Sequence, residues 1–415
     1  MASFTNEAAF MARVCSPAAL ADSGLPFPAA FLAEEVTPPP ADGGAASPSE
    51  FDRSWLFLTA YLPPEQWASP HVCLEGPQQT RQALAALARL HAHFWGRPAA
   101  HMCALGGGAP GPSPLLPGAW WRKAKRPTVM VERLPVVFAQ LCREFPAEFA
   151  SLDKPNAHDA FARLVALVPA LSAAVAGESG SSGGGTIVHG DCKASNFFFR
   201  APPRGEGGEG GDNPRGEGGV GSLGHSGGPL TPRPADTVYR AEGDSDDVIP
   251  TVDGVRLFDF QWAGPAASGA ADVAYLLTGA VAADELEATW PRLLQYYYAQ
   301  LAAALHLRLG AGATSSSSME RYTMESFLRD FDLEMLDLVS AILPALLDGI
   351  SPLIASENAA KFGWLTIESD PRIAAWACSR ALEAMGRLPE GFGAPDRADG
   401  PGSMQKVSSR LNLTT

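Results

Sequence analysis

Val188-His189-Gly190-Asp191-Cys192-Lys193-Ala194-Ser195-Asn196-Phe197-Phe198-Phe199 decides how this chain is read, together with Leu257-Phe258-Asp259-Phe260-Gln261-Trp262 further on. In the first stretch an amide, Asn196, follows a carboxylate, Asp191, by five positions; in the second a carboxylate, Asp259, directly follows a short apolar run. The β-branched and aromatic residues of Thr186-Ile187-Val188, Phe197-Phe198-Phe199 and Val255-Arg256-Leu257-Phe258 predict short strands, which place the three oxygen-bearing side chains at strand ends. Such a donor set suits phosphoryl transfer: one carboxylate accepts a hydroxyl proton, while an amide oxygen and a second carboxylate hold the metal that bridges nucleotide phosphates. A lone His-x-Asp is ordinarily a turn with a solvated carboxylate. The asparagine at fixed spacing, the flanking strands and the later Asp-Phe-Gln set this one apart.

Upstream of this stretch, Phe4, Ala8, Met11, Val14 and Cys15 recur at helical spacing within residues 4 to 22. An apolar stretch to Val36 and the run Trp55 to Leu62, stopped by Pro63-Pro64, predict two strands. From Gln78 to Trp95, Leu84, Leu87, Ala88, Leu90, His91 and Phe94 share one helical face. Helical segments are expected around 128 to 150 and 157 to 176, separated from their neighbours by Gly- and Pro-rich breaks at Gly106–Gly118 and Gly177–Gly185. Residues 201 to 230 hold 12 of the 42 glycines, and an insertion over about 201–247 is expected to be disordered. Beyond it, helices are predicted over 270 to 281, 285 to 307, 320 to 347 and 372 to 387. The sum is an α+β chain with its chemistry on strand ends.

At 415 residues the chain can bury a large core, in two domains or one domain of two lobes. A formal charge of −14 argues against a surface for nucleic acid and is compatible with a neutral or cationic small substrate. The six cysteines are scattered, with neither CxxC spacing nor metal-like clustering with histidine, and read as reduced thiols. There is no run of 18 apolar residues and no signal-like N-terminus, so a cytoplasmic chain with no membrane partner is expected.

The stretch 188–199 matches the H-x-D-x-x-x-x-N catalytic loop of kinase-like phosphotransferases, and its Gly190 resembles the small-molecule branch: aminoglycoside phosphotransferases, choline and ethanolamine kinases, and the ecdysteroid-kinase-like (CHK kinase-like) group. Leu257 to Trp262 is similar to the I-D-F or I-D-W of that branch. Gly264 to Gly269 followed by Ala271-Asp272-Val273-Ala274 resembles its Gly turn leading into D-L-A. Ala85 to Trp95 resembles the A-x-L-H-A-x-F-W helix of the ecdysteroid-kinase-like group. The likeness covers roughly residues 1 to 390, with its specificity in 186 to 200 and 255 to 277. It implies a protein-kinase-like two-lobed fold with a truncated N-lobe over 1–62, a large, mostly helical C-lobe over 63–390 and a flexible tail over 391–415.

The resemblance also implies roles. Asp191 is the catalytic base, Asn196 and Asp259 hold Mg2+, and Lys193 offsets charge on the transferring phosphoryl group of ATP. Glu7, in Glu7-Ala8-Ala9-Phe10-Met11, resembles the glutamate of the N-lobe helix, and backbone groups around Leu58, Ala60 and Leu62 form the hinge that meets the nucleotide base. His189 and Asp272 brace the loop. The acceptor is a hydroxyl of a small molecule. The first lysine is Lys123, and no Gly-rich loop precedes the hinge, so the phosphate-gripping lysine and roof are missing from 1–62. Two expectations follow: the chain starts inside a longer kinase, or it is a catalytically impaired, pseudokinase-type binding or scaffold protein. His91 and Cys192 read as packed residues. Trp290, Tyr296, Tyr297 and Tyr298 could cage a quaternary amine, though core packing is the ordinary explanation. Asp330, Asp332, Glu334 and Asp337 could line an amine cleft, though a solvated helix face is more ordinary.

Overall fold

A computed structural model describes residues 7, 8, 10, 11, 15, 20, 21, 25–36, 54–96, 128–176, 185–201, 254–309, 322–361 and 363–393. The Gly-rich insertion, the breaks at 106–118 and 177–184, and the tail beyond 393 lie outside the described residues. Of the expected N-terminal helix, residues 7, 8, 10, 11, 20 and 21 are helical, and the rest of it likewise lies outside them.

The architecture is α+β, mostly helical, with three small antiparallel sheets. Strand β1 (Ala30–Val36) pairs with β2 (Ser54–Thr59), in register from Val36 opposite Ser54 to Leu32 opposite Leu58, with a bulge between Leu32 and Ala30, which lies opposite Thr59. Strand β3 (Trp67–Ala68) edges a second sheet whose other members are β5 (Phe197–Arg200) and β6 (Val255–Leu257). The third sheet joins β4 (Thr186–Val188) to β7 (Gly264–Ala266), with Val188 opposite Gly264.

Helix α1 (Pro77–Phe94) opens with proline in its first turn, where the missing N–H costs nothing, and buries Leu84, Leu87, Leu90 and Phe94. The expected 128 to 150 helix is three pieces: α2 (Thr128–Val131), α3 (Leu134–Glu144) and α4 (Pro146–Phe149). Pro135 and Pro146 sit in the first turns of α3 and α4, where the missing N–H costs nothing. Then come α5 (Pro155–Val175), α6 (Ala270–Gly279), α7 (Ala283–Leu309) and α8 (Met324–Leu346), with α9 (Pro352–Ala359), α10 (Thr366–Ser369) and α11 (Pro371–Arg387) closing the chain. Helices α5, α7 and α8, by contrast, each run through an interior proline, Pro169, Pro291 and Pro344.

Helix α7 packs along α1, while α8 runs among α5, α6 and α11. By length and composition α5 could cross a membrane; here its Phe161, Leu164, Val168 and Leu171 stripe is buried in the protein. Helix α6 is buried along its whole length, and its N-terminus ends against the turn that follows β4. That contact positions the site.

Candidate active site

The turn His189-Gly190-Asp191 leaves β4 with Gly190 at φ 82°, left-handed backbone that glycine adopts without a Cβ clash. Its shape is held by one side chain. The carboxylate of Asp272, fully buried in the first turn of α6, accepts the His189 amide at 2.7 Å through Oδ2 and the Gly190 amide at 2.8 Å through Oδ1. His91 of α1 donates from Nε2 to the same Oδ2 at 3.0 Å. Because a carboxylate can only accept, Nε2 carries a proton, and Nδ1 meets the Tyr297 hydroxyl of α7 at 2.7 Å. Burial pushes the Asp272 carboxyl up, but the hydrogen bonds from His91 and the Gly190 amide outweigh it and hold the carboxyl below its ordinary value. A Cβ on Gly269 would overlap both His91 Nδ1 and the Tyr297 hydroxyl, so the residue before α6 must be glycine for these groups to meet.

The second half of the site is joined through the β5–β6 pair. Phe197 lies opposite Leu257, and the Phe258 amide donates to the Asn196 carbonyl at 3.0 Å, which sets Asn196 and Asp259 side by side at adjoining strand ends. His189 Nε2 donates to the Phe258 carbonyl at 2.7 Å, and its Nδ1 accepts the Asp191 amide at 3.3 Å. Thus His189 ties the loop to the strand that carries Asp259.

Asp191 is buried, and three groups aim at its carboxylate. Asn196 Nδ2 donates to Oδ2 at 3.1 Å and to the Asp191 carbonyl at 2.8 Å; Lys193 Nζ lies 3.1 Å from Oδ2; and the Tyr275 hydroxyl of α6 donates to Oδ1 at 2.9 Å. With Nδ2 committed to Asp191, the Asn196 oxygen is the ligand atom this side chain has to offer.

Asp259 has φ 64° and ψ 70°, the one left-handed residue other than glycine among the described residues. Such a conformation costs about 1 kcal/mol or more and is concentrated at functional sites. Burial first, and then the charge of Asp191, push the Asp259 carboxyl up, with Lys193 and the Gln261 amide offsetting part of the rise. Glu7 accepts the Phe260 amide at 3.2 Å through Oε1; burial and the neighbouring Asp259 push its carboxyl up to about 7. Phe260 is stacked on Phe10 at 4.7 Å and meets Phe27 edge-on at 4.8 Å, so these two rings pack directly beside the loop of Asp259.

The structure therefore brings Glu7, His189, Asp191, Lys193, Asn196, Asp259 and Asp272 into one neighbourhood. Of the expected hinge residues, Leu58 lies in β2 opposite Leu32, and Ala60 and Leu62 follow that strand. The Ala60 amide donates to the Ala29 carbonyl at 2.7 Å, so of the expected hinge groups this one is already engaged within the chain.

Tyr275 was not anticipated. Its place three residues after Asp272, one helical turn along α6, is the signal that could have found it. The aromatic cluster is core packing: Trp290 meets Trp376 and the Arg380 guanidinium, Tyr297 binds His91, and Tyr298 donates to the Tyr322 carbonyl. The acidic set corrects the expectation of a solvated face. Asp330, Glu334 and Asp337 are buried, with the Tyr322 hydroxyl on Asp330 and the Ser172 hydroxyl on Asp337, whereas Asp332 alone pairs outward with Arg387. Cys192 is buried in the core, as a packing role requires.

Compared with protein-family models, with curated proteins and with solved structures, the chain gives no significant match.

Proposed function

We propose that the chain is a kinase-like phosphotransferase that moves the γ-phosphoryl group of ATP to a hydroxyl of a small molecule. The observation that supports this most directly is the Asp191 carboxylate, buried and bonded by Asn196, Lys193 and Tyr275 on a turn held by Asp272, beside a left-handed Asp259. A turn that merely reverses the chain needs none of those arrangements. The two-lobed kinase-like arrangement belongs to the same proposal, with Glu7 as the glutamate that meets the backbone beside Asp259.

The donor set fits a hard divalent cation, since the Asn196 amide oxygen and the Asp259 carboxylate are oxygen ligands of the kind Mg2+ takes. Those two residues would hold it. When bound, the ion neutralises charge on the nucleotide phosphates. Asp191 takes the proton of the acceptor hydroxyl, and the hydrogen bonds from Asn196 and Tyr275 fix which oxygen lone pair is presented. Lys193, already at the Asp191 carboxylate, supplies a positive charge at the point where negative charge is transferred.

The test is Asp191→Asn in the full-length chain, assayed for ADP release with Mg-ATP and a panel of amino and neutral alcohols. Turnover should fall by about 10²–10⁴-fold, the range for loss of a general base, while the Mg-ATP-dependent rise in melting temperature is retained. Unchanged turnover would refute the role of Asp191. A second function is nucleotide binding without transfer. It predicts the same thermal rise with no acceptor-dependent ADP release in the unmutated protein.

A further inference from the structure

Away from Asp191, three unlike side chains converge. Cys142 lies in the last turn of α3, Asp153 in the turn between α4 and α5, and His158 in the first turns of α5. The thiol sulfur, a carboxylate oxygen and an imidazole nitrogen all lie within 4.8 Å of one another. We propose that Cys142, Asp153 and His158 form a three-ligand site for a zinc-class divalent transition-metal ion, with solvent completing the coordination.

The donors themselves select the metal. A thiolate with an imidazole and a carboxylate is the ligand set of zinc and its neighbours, and a poor one for Mg2+ or Ca2+. Tetrahedral zinc, at its usual bond lengths, holds such donors about 3.3–3.6 Å apart, so the widest gap must close by about 1.2–1.5 Å at most while the His158–Asp153 contact opens by about 0.5 Å to admit the ion. The groups that move are the accessible ones. Asp153 and His158 are partly exposed, while Cys142 is buried, which leaves an entry path and an open coordination position on the solvent side.

The backbone presents two of the ligands together. The turn from Phe149 through Lys154 is closed by the Asp153 amide on the Phe149 carbonyl and the His158 amide on the Lys154 carbonyl, and it brings His158 Nε2 to 2.8 Å from Asp153 Oδ1. The imidazole ring stands edge-on to Phe138 at 5.0 Å, and Phe138 is stacked on Phe161 at 4.1 Å, so a packed aromatic pair fixes the ring plane. A His–Asp ion pair alone would account for those two residues without the sulfur. Burial, and then the Asp153 charge, push the Cys142 thiol up to about 11. A divalent ion offsets both causes and converts the thiol to the thiolate it binds, releasing the proton to solvent. No residue of the proposed phosphotransfer site takes part, so the two proposals stand or fall separately.

Cobalt(II) titration of the full-length chain, kept reduced with a phosphine, tests this site. A thiolate-to-cobalt charge-transfer band in the near ultraviolet should saturate at one equivalent, persist in excess Mg2+ and be abolished by Zn2+. Cys142→Ala should remove the band. Because a buried cysteine can also matter for folding, His158→Gln and Asp153→Asn, both at partly exposed positions, serve as the second arm; each should weaken cobalt at least about tenfold, a ligand being worth no less than the residues that orient it. No band, or a band undiminished in both of these variants, would overturn the proposal.

Discussion

Replacing Asp272 by asparagine isolates the contact that shapes the His189-Gly190-Asp191 turn. The carboxylate accepts three hydrogen bonds, from the His189 amide, the Gly190 amide and His91 Nε2. Asparagine has one acceptor oxygen. Placed at the Oδ2 position, it keeps His189 and His91 but turns an NH2 group against the Gly190 amide, donor facing donor. One buried unsatisfied amide costs about 1–3 kcal/mol, and the two retained bonds each lose about 1 kcal/mol of charge assistance. The expected loss is therefore about 3–5 kcal/mol, a large share of the ~5–15 kcal/mol that stabilises a typical domain.

Urea unfolding of wild type and Asp272→Asn reads that loss as a lower midpoint at unchanged slope. The pH dependence gives an independent check. The folded Asp272 carboxyl is held below its ordinary value, so its contribution is fully present above an unfolded value of about 3.9 and disappears as pH falls through the folded one. Wild type should thus lose stability in acid more steeply than Asp272→Asn below about pH 4. A variant within about 1 kcal/mol of wild type, or one with an equally steep acid limb, would refute the claim that this carboxylate holds the turn.

Two further outcomes follow from neighbouring contacts. Gly269→Ala puts a methyl group into His91 and the Tyr297 hydroxyl and should cost about 1–3 kcal/mol by overpacking, seen as a lower melting temperature; an unchanged one would show that the His91–Tyr297 pair yields freely. Glu7, with a folded pKa of about 7 against an ordinary 4.5, favours its protonated form, so its contribution is complete below the ordinary value and is lost as pH rises through about 7. Relative to Glu7→Gln, wild type should therefore weaken by on the order of 3 kcal/mol across that window; parallel stability curves for the two proteins would contradict it.

Local pattern was enough for the elements that carry the site. The apolar stripe of 78 to 95 has the helical period, the Phe-rich and Val-rich runs have strand composition, and the fixed spacing of Asp191 to Asn196 puts two donors on one turn. What escaped the sequence is non-local. Gly264–Ala266 reads as a turn, yet it becomes a strand because β4 offers it a partner. Trp67–Ala68 is a strand only because β5 lies beside it. His91 reads as a packed residue, and only the folded chain shows it bonded to Asp272 and Tyr297, which are 181 and 206 positions away.

The same limit applied to charge. The spacing of Asp330, Glu334 and Asp337 along α8 places them on one face, but whether that face meets water or other helices depends on where α5, α6 and α11 pack. Scattered Cys142, Asp153 and His158 carried no recognisable motif, because their meeting depends on the α4–α5 turn folding back on the end of α3. By itself, then, the sequence determined which segments form the helices and strands and which polar residues stand at their ends, since period and turn type are properties of neighbouring residues. The tertiary structure alone decided which of those residues touch: a contact between distant residues exists only after the helices have packed and removed the water that would otherwise solvate each group separately.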